Sequence, residues 1–128
     1  MLFILLYIAA AMLYPGGSDA DRFAVGFSWK HNYWCELMNT HAQNGQPNTG
    51  RPLALAAMAV LIISLVSFWL LIPFLFMKDC RFGWLIRISG ASSMLVTPFL
   101  LTGRHDLVIN LAGLCGCLAI IALQVNLF

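Results

Sequence analysis

Three histidines and two carboxylates suggest the one metal chemistry that this sequence could support. They are His31, His41, His105, Glu36 and Asp106. Imidazole and carboxylate groups are common zinc ligands, and a bound zinc ion activates water for hydrolysis. If the apolar segments described below cross a membrane, all five residues lie on one side of it. One hypothesis is therefore a membrane-embedded, metal-dependent hydrolase acting on a lipid or an amide.

The spacing of these residues favours a simpler interpretation. No His-x-x-x-His or His-Glu-x-x-His pattern is present, and Cys35 has no base at a fixed spacing that would activate it as a nucleophile. Asp106 is also well placed to stabilise the start of a following helix. We therefore expect no catalytic residue, no metal and no cofactor, and we interpret this polar region as an ordered cap outside the membrane.

A long apolar stretch determines the class of protein. Leu53–Met77 contains about 25 residues without a charge, which as a helix covers about 37 Å and exceeds a hydrocarbon core of about 30 Å. The whole chain of 128 residues is 61% hydrophobic and 9% charged, whereas soluble domains carry about 25% charged residues. The sequence predicts an integral membrane protein.

The apolar segments predict an all-α fold, an integral membrane four-helix bundle in a single domain over residues 1–128. The expected helices cover residues 2–14, 53–77, 83–102 and 107–128. The first segment is short, and a signal-peptide core or a start site that lacks a few upstream residues are alternatives. Four crossings place both termini on the side of the basic second loop, which the positive-inside rule makes cytoplasmic.

A polar loop over residues 15–52 separates the first two predicted helices. Its apolar residues recur at helical spacing between Ser28 and Ala42, which predicts an amphipathic helix lying at the membrane interface. We expect this helix to form a binding surface or cap. The residues expected to form it are Asn32, Tyr33, Trp34 and Glu36.

Two stripes of small and polar residues predict where the later helices pack together. Membrane helices associate through small side chains and interhelical hydrogen bonds. The stripes consist of Ser89, Ser93 and Thr97 on the third helix and of Asn110, Gly113, Cys117 and Gln124 on the fourth. Because Asn110 and Gln124 are costly in lipid unless paired, a small-solute transporter working as an oligomer is a third hypothesis.

Three loop motifs resemble those of a known family. They are YPGGS at Tyr14–Ser18, GFSWKHNYWCELM at Gly26–Met38 and NGQPN at Asn44–Asn48. In this respect the chain resembles the uncharacterised bacterial multi-pass family called domain of unknown function 998, related to the Frag1/DRAM/Sfk1 type, over its first four helices. The resemblance implies a bacterial inner (plasma) membrane protein of unassigned activity, and it brings no catalytic residue.

The leading functional interpretation is a non-enzymatic structural, accessory or lipid-binding membrane component. The expected partners are membrane lipid and other membrane protein subunits or a second copy of the chain. A net charge of +2 and the lack of any basic run argue against nucleic acid.

Overall fold

The computed structural model describes residues 1–76, 82–102 and 104–127. Within these residues the fold is all-α. It consists of α1 (Leu2–Met12), α2 (Arg51–Phe76), α3 (Gly83–Leu95) and α4 (His105–Leu127), with short 3-10 helices at Trp34–Met38 and Thr97–Thr102.

Prolines account for two differences from the predicted helix bounds. The first helix ends at Met12 rather than at residue 14, because Pro15 has no N–H and disfavours a helical residue before it. The predicted helix over residues 83–102 is α-helical only as far as Leu95, and the chain continues as the 3-10 helix around Pro98. Met77, the predicted end of the second helix, lies outside the described residues.

Two of the helices are long and apolar enough to cross a membrane. These are α2, over Arg51–Leu75, and α4, over Asp106–Asn126. Only 11% and 17% of their most apolar windows are buried by the rest of the chain, so neither has the environment of a core helix in a soluble protein. The helices α1 and α3 are shorter, with 11 and 13 residues.

The chain divides into two compact units, Met1–Leu61 and Ile62–Phe128. In the first unit, small side chains of α1 and the beginning of α2 pack with Leu37 and Met38 of the loop. Gly50 permits this approach, since a Cβ there would overlap the carbonyl oxygen of Ala10. The single membrane domain expected over residues 1–128 stays a prediction.

In the second unit α3 packs against α4. Ile86 is fully buried and lies in a cluster with Ala122 and with Ile72 of α2. Ser93 donates a hydrogen bond to the carbonyl oxygen of Ala112 at 2.7 Å. Gly90 lies so close to Trp69 that a Cβ at this position would overlap the indole ring.

Candidate functional site

The polar part of the first unit consists of residues 15–50, which we call the cap. The predicted amphipathic helix over Ser28–Ala42 is wrong, because only Trp34–Met38 is helical and its form is 3-10. Side chains bond locally to the backbone instead, a known competitor of helix formation. The Ser28 N–H, for example, donates to Oδ1 of Asn32 at 2.9 Å.

Asn32 connects three parts of the cap. Its Oδ1 accepts from the Ser28 N–H, and its amide nitrogen donates to the Gly17 carbonyl at 2.9 Å and to Oε2 of Glu36 at 2.5 Å. The other carboxylate oxygen of Glu36 accepts from Nε2 of Gln43 at 3.0 Å. Glu36 is only 5% exposed, so two neutral amides solvate a buried carboxylate. Both residues thus hold the cap together from the inside.

Asn48 is a second buried side chain that joins several parts of the cap by hydrogen bonds. Its amide nitrogen donates to the carbonyl oxygens of Leu37 at 2.9 Å and Asn39 at 3.1 Å, and its Oδ1 accepts from the Gly50 N–H at 3.0 Å. These bonds pair two carbonyls at the end of the 3-10 helix and the N–H just before α2. The sequence marks Asn48 only as part of the turn motif NGQPN at Asn44–Asn48 and gives no sign that its side chain is buried.

The turn after α1 depends on glycine. Gly16 and Gly17 have φ values of 136° and 84°, and residues with a Cβ rarely adopt positive φ. A Cβ on Gly17 would also overlap the backbone of Gln43 and Asn44. This turn brings the Gly17 carbonyl to the Asn32 amide.

Two tyrosines, one in α1 and one just after it, attach the N-terminal segment to the cap. The Tyr7 hydroxyl donates to the Trp34 carbonyl at 2.5 Å, and the two rings stack with centroids 5.3 Å apart. The Tyr14 hydroxyl accepts from the Gln43 N–H at 3.0 Å. Burial raises the pKa of Tyr14 above the ordinary value for a phenol. The bond from the Gln43 N–H opposes this rise, and the negative charges of Glu36 and Asp19 add to it.

Aromatic rings cover the outside of the cap. Phe27, Trp29 and Trp34 lie in edge-to-face contact, with centroid distances of 5.2 Å and 6.2 Å between neighbouring rings. Trp29 is 56% exposed, Tyr33 67% and Trp34 55%. The four predicted cap residues therefore divide by role: Asn32 and Glu36 are buried supports, and Tyr33 and Trp34 form surface.

The candidate metal ligands do not assemble in the described part of the chain. His31 is exposed, and His41 is exposed with its Nδ1 3.2 Å from the Thr40 hydroxyl. Glu36 is occupied by amides, Asp106 is exposed in the first turn of α4, and the His105 side chain lies outside the described residues. Among the described residues no group of three His, Cys, Asp or Glu side chains could hold a metal ion.

The residues of the two predicted packing stripes differ in burial, and their role in helix packing stays a prediction. Ser89 and Ser93 are buried, and Thr97, which follows α3, donates to the Met94 carbonyl at the end of α3. On α4, however, Ser93 contacts Ala112 and lies beside Gly116. The predicted α4 residues Asn110, Gly113, Cys117 and Gln124 are all exposed in this chain.

Comparison with known proteins leaves the family open. No protein-family model matches the chain, and neither the curated proteins nor the solved structures include a significant match. The resemblance to domain of unknown function 998 therefore stays a hypothesis.

Proposed function

We propose that this chain is a small multi-pass integral membrane protein without enzymatic activity, in which the cap offers a binding surface to membrane lipid or to another membrane subunit. The cap carries this proposal. Buried bonds to Asn32, Glu36 and Asn48 fix its shape, while Trp29, Tyr33 and Trp34 remain more than half exposed.

The exposed residue types suit a membrane interface. Tryptophan and tyrosine have an apolar body and a polar end, and both are enriched where lipid headgroups meet the hydrocarbon. The length and exposure of α2 and α4 support placement in a bilayer. The resemblance to domain of unknown function 998 adds a bacterial inner membrane, and the basic residues Lys78, Arg81 and Arg87 favour cytoplasmic termini.

Thiol labelling tests the membrane placement. Cys35 is exposed in the cap, whereas Cys117 is exposed on the apolar helix α4. Two single-cysteine variants, each with the other three cysteines replaced by serine, are treated in spheroplasts with a membrane-impermeant maleimide. We expect labelling at Cys35 only, since lipid shields Cys117. Labelling of both sites at equal rates, or release of the protein by alkaline carbonate, would contradict membrane insertion.

Cap variants test the binding role. Asn32→Ala and Glu36→Ala each remove a buried hydrogen-bond partner, which typically costs about 1–3 kcal/mol. We expect both variants to lose lipid or subunits that copurify with the wild-type chain in mild detergent. If neither substitution changes folding or retention, the cap has no such role.

A further inference from the structure

A narrow groove separates α1 from the aromatic side of the cap. It has a volume of about 230 Å³ and exposes no polar atom. The residues that line it are Phe3, Ile4, Tyr7, Ile8, Trp29 and Trp34. The only hydroxyl among them, on Tyr7, already donates to the Trp34 carbonyl. Because pockets for drug-sized ligands have about 300–1,000 Å³, this groove suits a slender hydrocarbon segment.

A polar pocket of about 410 Å³ is lined by the same turn of the cap. Trp29 and Trp34 line the groove, whereas the residues between them, including Lys30 and His31, line the pocket. Asp19 joins them there. A hydrocarbon surface and a charged surface are thus formed by consecutive residues.

The polar pocket carries charges of both signs. Within the described residues no ion pair joins Lys30 to Asp19, and the Asp19 carboxylate accepts only a long bond of 3.3 Å from Gln43. A ligand with a phosphate and an ammonium group can interact with both charges. Lys30 and His31 would bind the phosphate, and Asp19 would bind the ammonium group.

From this arrangement we infer that the cap binds a zwitterionic glycerophospholipid, with part of one acyl chain in the groove and the headgroup in the polar pocket. The inference rests on the proposed lipid-binding function and adds the lipid class and the site. A peptide is a poorer occupant, because the groove offers no polar atom to pair with a peptide backbone.

A matched pair of variants tests the groove. Ile4 lines it and is 51% exposed, and its neighbour Leu5 is 62% exposed and does not line it. Native mass spectrometry of the full chain in detergent gives the Kd for dioleoyl phosphatidylethanolamine. We expect Ile4→Trp to weaken binding about 15- to 60-fold, because the indole occupies space for two to three methylene groups, and Leu5→Trp to change Kd less than twofold. Ile8→Trp replaces Ile4→Trp if that variant is not recovered folded.

A second pair tests the headgroup site. Lys30→Gln should weaken binding of phosphatidylethanolamine about fivefold, while Arg22→Gln, which removes an exposed charge outside the polar pocket, should leave it unchanged. Phosphatidylglycerol and diacylglycerol with the same acyl chains should bind more weakly, and inorganic phosphate should not compete. Equal binding of all three lipids overturns the headgroup assignment.

The two proposals fail in different ways. If wild-type protein retains phospholipid but Ile4→Trp and Leu5→Trp behave alike, the groove is not the site and the proposed function stands. If wild-type protein binds none of the lipids, both the site and the lipid-binding role are wrong.

Discussion

The Tyr7 hydroxyl donates to the Trp34 carbonyl at 2.5 Å while the two rings stack at 5.3 Å. One side chain of α1 thus fixes both the backbone and the ring of a cap residue 27 positions later. Both residues also line the apolar groove.

Removing the Tyr7 hydroxyl should loosen this attachment. Tyr7→Phe keeps the stacked ring but leaves the Trp34 carbonyl without its partner, so we expect a loss of about 0.5–1.5 kcal/mol in the free energy of unfolding. Thermal unfolding in detergent, followed by tryptophan fluorescence, measures it. Tyr33→Phe is the control, since Tyr33 is exposed; equal shifts in both variants would show that the bond contributes nothing.

Asn48 should be more sensitive to substitution than any exposed asparagine of the cap. Asn48→Ala leaves the carbonyls of Leu37 and Asn39 and the Gly50 N–H without this partner. We expect a loss of about 2–4 kcal/mol, from several buried polar groups at about 1 kcal/mol or more each. Limited proteolysis of the cap provides the readout. Asn39→Ala, at an exposed position, should be cleaved at the wild-type rate, and similar cleavage of both variants would refute the role of Asn48.

Two glycines of the second unit should respond in opposite ways to replacement by alanine. At Gly90 a Cβ would overlap the Trp69 ring, whereas at Gly113 nothing lies within 4 Å of the added atom. Gly90→Ala should therefore destabilise the protein by about 1–3 kcal/mol through overpacking. Gly113→Ala should be neutral or stabilising by up to about 1 kcal/mol, because alanine favours helices. A destabilised Gly113→Ala variant would instead support packing of that face against another chain.

High pH should loosen the cap through Tyr14. Because burial raises the pKa of Tyr14 in the folded state, its neutral form is favoured by folding. The associated stability is complete below the ordinary tyrosine pKa of about 10 and declines as the pH rises through the folded pKa. Unfolding midpoints measured between about pH 8 and 11 should fall more steeply for wild type than for Tyr14→Phe. Parallel curves would mean that Tyr14 ionises equally in both states.

The sequence predicted the long helices α2 and α4 well, because a run of twenty or more apolar residues is compatible with few structures other than a long helix. It failed on the cap for a local reason: residues with helical spacing between Ser28 and Ala42 use side-chain to backbone bonds instead. On α4, Ser93 contacts Ala112 and lies beside Gly116. No sequence pattern marks these two residues, because a helix that is apolar all round has no hydrophobic period, and the line through Asn110 stays a prediction.

The contact between Gly50, just before α2, and Ala10 lies within the first unit, and this self-contained packing has a consequence for biosynthesis. Every hydrogen bond described for the cap joins residues of the first unit, Met1–Leu61. Domains generally fold as units during synthesis, beginning at the N-terminus. The cap can therefore form all of these bonds without waiting for α3 and α4 to pack.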